Sequence, residues 1–220
     1  MHKPLKPILL LLSSALLLTS CANLNTASSS PSPAELTTGY LSQPNFSEQF
    51  THVTALEARV MALSAEEPLT MGALGSALIE INPASLTGHY ALVQFYQHVD
   101  ASEAAQWHEQ SFQNIRDQIL ASGDGSAARP YQSLSKADAE LLVRGQNRSL
   151  VGGIYQNSEA APLQLLLLSR STSTSPITSD YFDLSKLIPA VGGQDNGPAS
   201  AGNPWDILRS LADKDDSAAR

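Results

Sequence analysis

The sequence predicts an α+β fold in which antiparallel helix pairs come first and a small antiparallel sheet with one helix follows. Two patterns carry that prediction. Over residues 45–122 apolar side chains return every three or four positions, the spacing that lines one face of a helix. Over residues 123–188 glycines and Ser/Thr-rich loops separate short apolar runs such as Leu165-Leu166-Leu167-Leu168, the pattern of strands bounded by turns. A third observation concerns what holds the fold. The only cysteine is Cys21, so no intrachain disulfide can staple the chain and a packed core must do so.

At the N-terminus, Lys3 and Lys6 precede an apolar run over residues 8–18, and the small residues Thr19-Ser20 lead into Cys21. A basic segment, an apolar segment and a small-residue cleavage site make a secretory signal. With the lone cysteine directly after it, Leu18-Thr19-Ser20-Cys21 resembles the lipobox of bacterial lipoproteins. The resemblance implies that residues 1–20 are a signal peptide and that Cys21 becomes the lipid-attachment site. It would carry a diacylglycerol on sulfur and an acyl chain, such as palmitate, on its amine. Each buried methylene then contributes about 0.8 kcal/mol to membrane attachment, and several chains anchor where one is marginal. The run is too short for an ordinary span of roughly 20 residues and is broken by Ser13-Ser14. By the same resemblance, Ala22 in place of aspartate directs the protein to the periplasmic face of the outer membrane; in a Gram-positive host the anchor lies in the cell membrane.

Residues 21–44, with Ser28-Ser29-Ser30-Pro31-Ser32-Pro33 at their centre, read as a flexible tether with little to bury. Asn45 or Ser47 can cap a first helix carrying Phe50, Val53, Leu56, Val60 and Leu63. A second, over residues 70–81, aligns Met71, Leu74, Leu78 and Ile81, and its Gly72 and Gly75 permit close helix contact at a cost in propensity. Ser85 opens a third with Leu86, Tyr90, Val93 and Tyr96. Asp100-Ala101-Ser102-Glu103 reads as a capping box for a fourth with Ala104, Trp107, Ser111, Ile115 and Ile119 along one stripe. Short connections make these helices antiparallel neighbours. With Asn82-Pro83 before them, and Tyr90 or Phe95, Tyr96 and Ala104 at its aromatic and small positions, the third and fourth resemble a tetratricopeptide helix pair. No period of about 34 residues repeats along the chain, so a solenoid is not expected.

Gly123-Asp124-Gly125 ends the helical region as a C-terminal turn. A short strand is expected over residues 129–133, a Ser135-capped helix to Arg144 with Ala139, Leu142 and Val143 inward, a glycine-bent strand over 149–155, a buried strand over 162–168 and an edge strand over 181–187. Ser122-Gly123-Asp124-Gly125, Tyr131, Glu140-Leu141-Leu142, Gln146, Ser149-Leu150-Val151 and Tyr181-Phe182-Asp183 together resemble the bacterial domain of unknown function family 4919. The resemblance implies helices ahead of this segment and brings no activity with it. Residues 189–220 read as a flexible tail in which Trp205, Ile207, Leu208 and Leu211 form a short apolar helical stripe, a candidate partner-binding surface.

No residue set carries a specific catalytic signal. His52, His89, His98 and His108 lack the one-turn pairing of zinc sites, although His98 and His108 could converge with Glu103 or Asp100. No G-x-S-x-G elbow occurs, so any Ser/His/Asp set must assemble in space. Tyr90, Phe95, Tyr96, Trp107 and Phe112 could pack as a helix-pair core or line a peptide groove. No metal and no cofactor is expected. The net charge is −8, and loss of Lys3 and Lys6 with the signal makes the mature chain more acidic still. Such a chain repels phosphate backbones, so nucleic acid is not an expected partner. The expected function is a membrane-anchored, non-catalytic interaction or assembly module with an envelope protein as partner. The alternative is a lipid-anchored hydrolase of peptide or cell-wall substrates, which requires a histidine to meet a serine or carboxylate in one pocket.

Overall fold

A computed structural model describes residues 31–63, 67–157 and 161–192. Cys21 and the stripe Trp205, Ile207, Leu208 and Leu211 lie outside the described residues. The fold is α+β, with most helices ahead of a four-stranded sheet.

The first helix, α1 (Pro33–Leu41), falls inside the expected tether. Ser32 caps it: its hydroxyl accepts from the Glu35 backbone N–H, the Glu35 carboxylate accepts from the Ser32 N–H at 2.7 Å, and Pro33 presets the first turn. Tyr40 then supplies the apolar face that a Ser/Thr-rich composition hides, and it is buried against Phe46. α2 (Phe46–Ala62) buries Phe50, Val53, Leu56 and Val60 as their spacing requires. α3 (Pro68–Ile81) starts two residues earlier than expected because Pro68 suits the first helical position. α4 (Leu86–His98) is capped by Ser85, whose Oγ accepts from Gly88 N at 3.0 Å.

In α5 (Ser102–Ala121) the expected capping box does not form. Asp100 adopts a left-handed φ of 57° in place of the extended conformation usual at an N-cap, and Ala101 becomes the N-cap without a side-chain bond. Only the first half of the inward stripe is rotated by one residue: Ala105 and His108 face the core in place of Ala104 and Trp107, which is 60% exposed, while Ile115 and Ile119 are buried as expected. Facing His108 inward toward α4 carries its neighbour Trp107 about 100° around the helix to the rim.

Glycines set how closely α3 and α4 approach. A Cβ on Gly75 would lie 2.8 Å from Leu92 Cγ and 3.0 Å from the Gly88 carbonyl oxygen, so the backbone of α4 occupies the space of a side chain. Gly75→Val is therefore expected to force the two helices apart and to lower stability by about 1 to 3 kcal/mol. A shift in the urea midpoint at unchanged m-value is the measurement.

Tyr131 and Gln132 form β1 (Tyr131–Gln132), α6 (Lys136–Arg144) follows, and then come β2 (Ser149–Gln156), β3 (Gln164–Arg170) and β4 (Thr178–Asp183). The order across the sheet is β1-β4-β3-β2. The sheet is antiparallel as expected across β2, β3 and β4, and at one edge β1 runs parallel to β4, pairing Tyr131 with Phe182. A crossover containing α6 and the β2–β3 hairpin separates the two strands, long enough to permit parallel pairing. The bend in β2 is a bulge between Leu150 and Gly152. β4 stops at Asp183, whose carboxylate accepts from Ser185 N at 2.8 Å, and the chain turns into α7 (Leu187–Gly192) where the last strand residues and start of the tail were expected. Arg148 holds the α6–β2 turn to β4 through Asp180, with contacts of 2.6 and 3.0 Å. Helices and sheet share one core, which unites Phe46, Leu56 and Leu86 with Leu142, Leu165, Phe182 and Leu187.

Candidate functional site

Two groups of buried polar side chains stand out. The first centres on Glu57 and Asp138. Glu57 lies between Val53 and Val60 on the inward face of α2, at a position the helical period reserves for an apolar residue. Asp138 occupies the first turn of α6, where Ser135 Oγ accepts its backbone N–H at 3.1 Å. Its side chain reaches the start of another helix. Asp138 Oδ1 accepts from Thr87 N and from Thr87 Oγ1, both at 2.8 Å, so a carboxylate from α6 caps α4.

Both carboxyls are pushed above their ordinary range. For Glu57 the cause is burial first, then the Asp138 charge, with the Ser135 hydroxyl holding it lower. For Asp138 burial again leads, opposed by the Thr87 bonds and the Leu86 backbone. Tyr40 from α1 lies in the same environment; burial and then the two carboxylates raise its phenol above the usual value of 10. Tyr40 Oη and Glu57 Oε1 are buried without hydrogen-bond partners among the described residues. Glu57 and Ser135 line a cleft of about 280 Å³ between α2 and α6, with Phe50, Ala58, Met61 and Leu187 among its walls.

The second group joins α4 to α5. His89 Nδ1 and His108 Nδ1 are 3.0 Å apart, and His89 Nε2 lies 3.2 Å from the Pro83 carbonyl oxygen. A carbonyl only accepts, so His89 carries its proton on Nε2 and accepts at Nδ1 from the His108 N–H. Burial lowers His89 from 6.5 to about 4, helped by His108 and opposed by the Pro83 bond. Burial lowers His108 as well. Tyr96 stacks on His108 at 5.4 Å, and Trp107 meets the same ring edge-on at 4.6 Å, closing the pair from outside.

The expected convergence of His98 with His108 does not occur. His98, Asp100, Glu103 and His52 are exposed, and His108 meets His89 instead. No histidine in either group bonds a serine or carboxylate side chain among the described residues. The aromatic groove also fails to form as one surface. Phe95 covers Gly72, Tyr96 stacks on His108, and Tyr90 and Phe112 line a separate cavity with Met71 and Leu141. Gly123-Asp124-Gly125 is the expected turn: Asp124 N donates to Arg129 O, and the Gly125 carbonyl accepts from Tyr181 N.

Sequence reasoning missed the acid pair. Its signal was a lone carboxylate on an apolar stripe, Glu57 between Val53 and Val60. Asp138 gave none, because an acidic residue in a first helical turn is ordinary. Comparison with known proteins finds no matching family model, no similar curated protein and no similar solved structure.

Proposed function

We propose that the chain is a lipid-anchored envelope protein whose folded part is a non-catalytic interaction module. Cys21 holds it on the periplasmic face of the outer membrane, or on the cell membrane of a Gram-positive host. The observation that carries this reading is Leu18-Thr19-Ser20-Cys21 directly after a basic and apolar leader. The engagement of the buried polar groups supports its second half. Asp138 is spent on capping α4 and the two histidines on each other, so the groups best suited to chemistry serve the helix seams. Trp205, Ile207, Leu208 and Leu211 are the segment we assign to partner contact, since apolar and aromatic anchors dominate interface energy.

Crosslinking and fractionation in the native host test both halves. Cys21→Ser is expected to move the protein out of the membrane fraction or to leave it as an uncleaved precursor, because serine offers no thiol for the lipid. Unchanged fractionation and mass would remove the anchor. Replacing Trp205 and Leu208 with alanine is expected to abolish a crosslinked envelope partner with the melting temperature held. A partner retained alongside a large fall in melting temperature would return the stripe to a structural role.

A further inference from the structure

We propose that the cleft between α2 and α6 binds a primary ammonium group carried on a short aliphatic chain, with the Glu57 carboxylate as counter-ion. The site goes beyond the envelope reading and does not depend on it.

Glu57 is 2% exposed, lines the cleft, and keeps Oε1 without a hydrogen-bond partner. A buried carboxyl oxygen left unpaired is costly; a partner that brings its own positive charge favours the ionised carboxyl, which can only accept, and supplies the missing donor. Charge selects among donors. Asp138 stands close enough to raise Glu57, so two acids concentrate negative potential at one place. Shape then separates ammonium from guanidinium. A planar fork needs two acceptor oxygens side by side, whereas Glu57 has one unpaired oxygen, which suits a point donor. The walls formed by Phe50, Ala58, Met61, Leu134 and Leu187 suit methylene groups. At the rim, Lys136 and Arg144 both pair with Glu140, at 3.9 and 3.4 Å, which tempers their repulsion of an incoming cation. The net charge of −8 draws cations toward the protein as a whole.

Binding is an exchange of one proton. Burial favours the protonated Glu57 carboxyl; as the charged ammonium enters, that proton leaves to the buffer and the ion pair remains. Two sources carry the same chemistry, a free alkylamine and a lysine side chain. Calorimetric titration of the full-length protein with n-pentylamine, Nα-acetyl-lysine-N-methylamide and 1-pentanol tests the site and separates them. Saturable binding of the amines is expected, with an enthalpy that varies with the ionisation heat of the buffer as the proton leaves. Tighter binding of the lysine derivative identifies a polypeptide lysine, and tighter binding of pentylamine a free amine. Glu57→Gln is expected to weaken either by about ten- to a hundredfold, the loss of one charge-assisted bond. Circular dichroism establishes that this variant is folded. Ala58→Phe, which fills the cleft and leaves Glu57 in place, is expected to abolish binding. Pentanol binding as tightly as pentylamine, amine binding unchanged in both variants, or no saturable heat at millimolar amine overturns the proposal.

Discussion

Asp138→Ala is expected to lower stability by about 2 to 4 kcal/mol, because it strips two donors at the start of α4 of their shared acceptor in one step. The Thr87 N–H and hydroxyl are buried, so water does not replace the lost oxygen freely. One gain offsets part of the loss: Glu57 no longer faces a neighbouring carboxylate. Asp138→Asn keeps an oxygen for both Thr87 donors and removes the charge, so its expected change is within about 1 kcal/mol. Urea denaturation of the two variants separates the effects. An alanine variant within 1 kcal/mol of the parent would show that the cap contributes little, and an asparagine variant as unstable as alanine would show that α4 requires the charge.

Acid is expected to weaken the protein through His89 by up to about 3 kcal/mol. The direction follows from where protons bind. The unfolded chain binds a proton on this histidine near 6.5 and the folded chain only near 4, so between those values the unfolded state holds more protons. The histidine's contribution is complete above about 6.5 and is lost as pH falls toward 4. Protonation also breaks the pair, since a charged His89 presents an N–H to the N–H of His108. Glu57 and Asp138 act in the opposite sense. Their raised values mean that the folded state holds more protons than the unfolded one, so they gain stability as pH falls through that range. The difference between parent and variant is therefore the readout. Urea midpoints at pH 7.5 and 4.5 for the parent and for His89→Phe/His108→Leu are expected to show the parent losing more on acidification. Equal losses would mean that the imidazoles are not held neutral by the fold.

Much of the architecture is readable from local pattern. Ser85 and Ser135 cap α4 and α6, the glycines of β2 accompany a bulge, and α3 meets α4 across Gly72 and Gly75. The two caps rest on a bond three residues away, and the glycines mark the bulge and the close helix contact by their own identity. What escaped depends on partners far along the chain or on a one-residue rotation. α1 hides in a Ser/Pro-rich stretch because its cap is a pairwise bond between Ser32 and Glu35 and not a composition. Trp107 was expected inward because it is apolar, yet the seam with α4 is closed by His108, which a hydrophobic pattern cannot recognise. Asp138 and Thr87 stand 51 residues apart, so neither segment announces the bond. The Glu57 environment exists only once α1, α2 and α6 have met.

The shared core has a consequence in time. Phe46, near the start of the described chain, and Leu187, near its end, belong to the same cluster. A ribosome adds about 5 to 20 residues per second, so the helices emerge on the order of ten seconds before the last strand and α7 that cover them. Through that interval their apolar faces have no lid, and the nascent chain remains open to chaperones or to a translocating pore. Emergence of Leu187, and not of any early helix, is what completes the shared core.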